Sequence, residues 1–166
     1  VINIITKKSS KNSLVVNTQY GSNNTSIVGF TETITKGKFK AFLTANNQNS
    51  DGFDIDKDTY GNNVLPFNLL NTTAKTTYDD GKNQISFGIN FFDKKSEGQT
   101  ITETNTQGQL VPVDEVNQSK NLIFDLNYKR TFGKYISEIK VSNSNFNNSN
   151  ELSFEYFGQQ VTQLDE

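Results

Sequence analysis

Residues 84–91, Gln84-Ile85-Ser86-Phe87-Gly88-Ile89-Asn90-Phe91, alternate polar and apolar side chains without a break. Successive residues of a β-strand point to opposite faces of its sheet. This segment therefore reads as a strand with Ile85, Phe87, Ile89 and Phe91 on one face and Gln84, Ser86, Gly88 and Asn90 on the other. No helical period accommodates the pattern, so the fold is decided here as β.

Four further segments repeat it. Phe39, Ala41, Leu43 and Ala45 oppose Lys40, Thr44 and Asn46, with Phe42 as the exception. Leu122, Phe124, Leu126 and Tyr128 oppose Asp125, Asn127 and Lys129. Tyr135, Ile139 and Val141 oppose Glu138 and Lys140, while Leu152, Phe154 and Tyr156 oppose Glu151, Ser153 and Glu155. Weaker strands are expected at 13–20, 25–36 and 72–78, giving about eight in all. Periodicity leaves two architectures open. A soluble sandwich buries its apolar face against a second sheet. A transmembrane β-barrel turns that face to lipid and its polar face to a wet lumen.

The connections favour the barrel. Lys36-Gly37-Lys38, Asp79-Asp80-Gly81-Lys82-Asn83 and Thr131-Phe132-Gly133-Lys134 are tight, glycine-containing turns. Between them lie long polar stretches near 50–71 and 93–120, which read as loops, and Asn143–Asn150 reads as another. Short and long connections in alternation suit a barrel with one short-turn rim and one long-loop rim. Tyr78, Tyr128, Phe132 and Tyr135 sit beside the tight turns, where an aromatic girdle would meet the headgroup layer. Eight strands close a small barrel or form an arc of a larger one.

Composition removes other classes. Mean hydropathy is -0.63 and 33% of the residues are hydrophobic, with no apolar run of the roughly 20 residues a spanning helix needs. Barrels escape this test because only alternate residues face lipid. A net charge of -2 with scattered lysines gives no nucleic-acid groove. With no cysteine or histidine, thiolate and imidazole catalysis and the usual zinc sites are excluded. Glu151 and Glu155 share a face but lie roughly 13 Å apart along a strand, too far for an acid–base pair. No enzyme is expected. The start at Val1, with no signal sequence, reads as an internal fragment of a longer chain.

Val1-Ile2-Asn3-Ile4-Ile5-Thr6-Lys7-Lys8 resembles the "INIITKK" sequence that closes the plug of TonB-dependent outer-membrane receptors. Ser50-Asp51-Gly52-Phe53 resembles the "SDGF" at the start of that family's second outer loop, and Lys36-Gly37-Lys38 takes the place of its first periplasmic turn. The resemblance implies that residues 1–8 are the last plug strand. Residues 9–166 would be the N-terminal portion, about eight strands, of a 22-stranded antiparallel transmembrane β-barrel. It implies a bacterial outer-membrane location and TonB-energised uptake of a siderophore–metal chelate or a cobalamin-like ligand. The implied partners are outer-membrane lipid, the small-molecule ligand, and the TonB complex acting through plug regions absent from this chain. The alternative is a soluble or cell-surface β-sandwich that binds carbohydrate or protein.

Candidate site residues cluster in the loop after Asn49. Asp51, Asp54, Asp56 and Asp58 bring four carboxylates within eight residues, a density of hard oxygen ligands suited to Ca²⁺. Counted from Asp54 in Asp54-x-Asp56-x-Asp58, Thr59 at the sixth position and Leu65 at the twelfth exclude an EF-hand loop. Calcium sites in outer loops of some cobalamin receptors of the resembled family support the assignment. Phe53, Tyr60 and Phe67 are candidate ligand-packing aromatics, and Asn90, Asp125, Asn127 and Lys129 are candidate lumen residues.

Overall fold

The structure, a computed structural model, describes residues 11–55, 61–104, 110–156 and 159–165. The plug-like stretch Val1–Lys8 lies outside them. The described residues form one antiparallel sheet of eight strands, and none of them is helical. In chain order these are β1 (Ser13–Tyr20), β2 (Ser26–Lys36), β3 (Phe39–Ser50), β4 (Phe67–Asp79), β5 (Asn83–Thr104), β6 (Leu110–Phe132), β7 (Tyr135–Tyr156) and β8 (Gln159–Asp165). Each pairs with its sequence neighbour, so the sheet is a meander. β1 does not pair with β8, so these strands do not close as an eight-stranded barrel. No second sheet is present among the described residues.

The tight turns form where glycine frees the backbone. Gly37, Gly81 and Gly133 have φ of 59°, 87° and 55°, the left-handed region that side chains disfavour. In the β4–β5 turn, Asp80 accepts the backbone N–H of Asn83 at 2.7 Å and of Lys82 at 2.9 Å. These bonds favour the ionised form and, with the Asn83 amide and nearby Lys38, lower the Asp80 pKa to about 2. The turn's bonds should hold above the ordinary carboxylate value of 3.8 and be lost as pH falls toward 2. Protection of the Lys82 and Asn83 amides, relative to the unstructured exchange rate at each pH, should fall over that window, and Asp80→Asn should flatten the response.

Strands β5, β6 and β7 run much farther than the apolar alternation alone predicts. Residues 93–104 and 110–120, expected as loop, continue β5 and β6 as a paired ladder with a register shift between Ile101 and Glu103. Asn143–Asn150, also expected as loop, is the middle of a single β7. Polar side chains support the ladder there: Ser119 donates to Asn148 at 2.6 Å and Ser144 to Asn121 at 3.0 Å. Backbone pairing needs no apolar face, so strand persists after the hydrophobic period ends.

Residues directly opposite in an antiparallel ladder lie on one face. Following the register from Phe87 places Leu14, Val16, Phe30, Ile34, Leu43, Ile89, Phe124, Leu126, Ile139 and Val141 on a common face. Glu32, paired with Leu14 and Leu43, is a lone carboxylate within it. The opposite face carries Thr31, Thr33, Thr44, Thr73, Thr77, Ser86, Asn90, Asp125, Asn127, Lys129 and Ser142.

Candidate membrane face and outer-loop site

Large apolar side chains stand exposed on the sheet while two hydroxyl side chains of its polar face are buried. Leu14 is 64% exposed, Phe39 64%, Leu126 48% and Ile139 60%, whereas Thr33 and Ser86 on the polar face are each only 8% exposed. Val113 is the one buried large apolar residue among those described. Exposed apolar area on this scale marks an interaction surface rather than ordinary scatter.

The apolar face is a belt with two edges. Below, the candidate girdle residues Tyr78, Tyr128, Phe132 and Tyr135 stand on the apolar face at the short-turn rim, joined there by Phe39. Phe39 and Tyr78 pack at 5.1 Å between ring centroids, and the Arg130 guanidinium lies 4.5 Å from the Phe132 ring. Above, the same face turns polar past Phe91 and Leu122, with Asp93, Lys95, Lys120, Asn145 and Asn147. From Phe132 to Leu122 is about 34 Å along the strand, which at a tilt of 35–45° projects to about 25 Å. Beyond the belt, β5–β7 continue as a wall that carries Lys95 and Glu97 on this same face, paired at 2.6 Å.

The polar face is stitched by side-chain hydrogen bonds. Thr31 and Thr44 hydroxyls meet at 2.9 Å, Thr73 donates to Asn90 at 2.9 Å, and Ser142 donates to Asp125 at 2.7 Å. Asn90, Asp125, Asn127 and Lys129, the candidate lumen residues, share this face. Thr35 Oγ1, Asn127 Oδ1 and Asn150 Oδ1 are buried oxygens with no hydrogen-bond partner. Such atoms call for water or another polar group on that side.

One row of this face combines amides with rings. Asn17, Gly29, Asn46, Asn71, Phe92, Asn121 and Phe146 lie opposite one another across β1–β7. A Cβ at Gly29 would fall 2.0 Å from Asn46 Oδ1 and 2.9 Å from Asn17 Oδ1, so glycine leaves room for both amides. A cavity of about 80 Å³ opens here, lined by Asn71, Asn90, Phe91, Phe92, Asn121 and Ile123. Sequence reading missed this row, because Phe92 and Phe146 break the alternation that defines their strands.

At the far end, the Ser50–Phe53 motif ties two loops together. The Tyr20 hydroxyl donates to Asn24 Oδ1 at 2.7 Å, and Asn24 Nδ2 donates to Asp51. Thr25 and Ser50 hydroxyls meet at 2.9 Å, and Gly52 N–H donates to Ser50 Oγ at 3.2 Å. Phe53 and Val64 exchange both backbone hydrogen bonds at 3.0 Å. Residues 61–66 then cover the edge of β5: Asn62 N–H donates to Gln99 O at 3.0 Å and Glu97 N–H to Pro66 O at 3.1 Å. The loop thus satisfies backbone groups of β5 that β4, which begins only at Phe67, leaves open.

For the calcium expectation, Asp56 and Asp58 lie outside the described residues, as does Tyr60. Asp51 is exposed and engaged with Asn24, and no group of three carboxylates that could hold a metal occurs among the described residues. Phe53 is 41% exposed at the loop surface, while Phe67 begins β4 beneath the Lys94 ammonium at 5.4 Å. No known protein family, curated protein or solved structure matches this chain.

Proposed function

We propose that the chain is the N-terminal portion of a transmembrane β-barrel from a TonB-dependent type of outer-membrane receptor, with its apolar belt in lipid and its polar face inward. One observation carries the reading: large apolar side chains of one face, Leu14, Phe39, Leu126 and Ile139 among them, stand exposed, while Thr33 and Ser86 on the other are buried. The bounded belt, the aromatic short-turn rim and the polar wall above it support the same orientation. Barrels that cross lipid must close. The outer edge of β1 and the β7 edge below Asn150 are unpaired among the described residues, and further strands of the full receptor would cover them.

The role is uptake of a scarce nutrient, energised by a TonB complex acting through a plug. This assignment rests on the resemblance of Val1–Lys8 and Ser50–Phe53 to the receptor family. The belt contacts lipid, and the polar face and outer loops meet the ligand. The full-length polypeptide carrying this chain should fractionate with outer membranes and show heat-modifiable mobility on electrophoresis. Recovery as a soluble, detergent-independent protein would replace the barrel with a sandwich formed by covering the apolar face.

A further inference from the structure

We propose that the inner face of this chain carries a binding band for a neutral saccharide, and that the ligand is hydroxyl-rich rather than an anionic metal chelate. The proposal rests on the barrel reading, in which this face lines the interior. Its ground is the row Asn46, Asn71, Phe92, Asn121 and Phe146.

The row alternates amide and ring from Asn71 to Phe146, with neighbouring strands about 4.8 Å apart. An asparagine amide offers two donors and one carbonyl acceptor, which matches hydroxyls that both give and take hydrogen bonds. A phenylalanine face is electron-rich and apolar, which suits the C–H face of a pyranose ring. Phe92 and Phe146 stand two strands apart, roughly 10 Å. A chain of linked rings, rather than a monosaccharide, would reach both. Phe146 is 62% exposed, and the cavity beside Phe92 is lined by Asn71, Asn90 and Asn121 together with Phe91 and Ile123, room enough for a hydroxymethyl group.

Charge is missing where an anionic chelate would need it. The row itself and the one below it, which runs through Thr44, Thr73, Asn90, Ile123 and Ser144, contain no ionisable residue. The nearest charges on this face are already engaged. Lys94, one row above, has its ammonium over the Phe67 ring, and Asp125, below, accepts from Ser142 and Asn90. Lys75, paired with Gly88 two rows below the band, is the remaining cation among the described residues of β3–β5 near it. A multiply charged anion needs clustered Arg or Lys, which this band does not supply.

The test uses the full-length protein carrying this chain, purified in detergent, with calorimetric titration of maltoheptaose, cellohexaose and laminarihexaose. Ferric citrate and cyanocobalamin are titrated in parallel. At least one oligosaccharide should bind, and Phe92→Ala and Phe146→Ala should each weaken it tenfold or more. Asn121→Asp, which adds a charge and removes two donors, should do the same. Heat-modifiable mobility should be unchanged in all three variants, because none lies on the apolar face. Failure of every oligosaccharide to bind, binding insensitive to these substitutions, or ferric citrate or cyanocobalamin binding that depends on them would each overturn the proposal. Saccharide binding through Phe92 and Phe146 by a protein that stays out of membranes would preserve the band and remove the barrel.

Discussion

Arginine at Phe87 or Leu126 should prevent most of the protein from assembling in the membrane. These residues pair across β5 and β6 in the middle of the belt, and are 43% and 48% exposed. A lipid-facing arginine near the midplane costs about 2–4 kcal/mol. At a water-exposed position the same change is usually within about 0.5 kcal/mol. The two surroundings therefore predict outcomes that differ severalfold in free energy. Phe87→Arg and Leu126→Arg should lower the urea midpoint of the folded, heat-modifiable form in lipid vesicles. Ser142→Arg is the control: Ser142 is exposed on the polar face and donates to Asp125, which would pair with the new cation. If all three variants assemble alike, the apolar face is not in lipid.

Replacing Gly52 with alanine should detach the loop that the Ser50–Phe53 motif anchors. Gly52 has φ of 70°, and an added Cβ would meet Val64 O at 2.1 Å and the Leu65 carbonyl carbon at 2.7 Å. Left-handed backbone costs a side-chain-bearing residue about 1–2 kcal/mol. The clash is with backbone, so no rotamer change relieves it. Residues 51–55 would move away from 61–66 and break the Phe53–Val64 exchange. At about 1.4 kcal/mol per factor of ten, amide exchange at Phe53 and Val64 should rise at least tenfold. Exchange at Leu43 and Phe87 should stay as it was. Unchanged protection at Phe53 would mean that the loop accommodates the methyl group and that the glycine is not required.

The β class and much of the strand order were legible because one face of the belt is apolar. Ile85–Phe91 and Leu122–Tyr128 could only be strands, and Gly37, Gly81 and Gly133 marked turns that the backbone angles bear out. Where both faces are polar the period vanishes, so 93–104, 110–120 and 143–150 read as loop although they are paired strand. Their order comes from the partner ladder, which is a tertiary property. The same limit hid the amide and ring row, whose members are far apart in the chain and meet only through register. Asp51 was singled out for its charge, yet its placement depends on Asn24, 27 residues earlier.

The wall above the belt changes how affinity at that end can be tuned. Fixing a residue's backbone costs about 1–2 kcal/mol of conformational entropy. In residues 93–104, 110–120 and 145–156 that loss is incurred once, when the ladder forms. On the proposed receptor reading, a ligand reaching residues 93–100, 112–120 or 145–154 meets an already ordered backbone, so its capture there carries little further entropic penalty. Stiffening substitutions such as proline or a disulfide, which tighten binding at mobile loops, should therefore gain nothing on the wall. Selection for tighter binding has only side-chain identity to work with there.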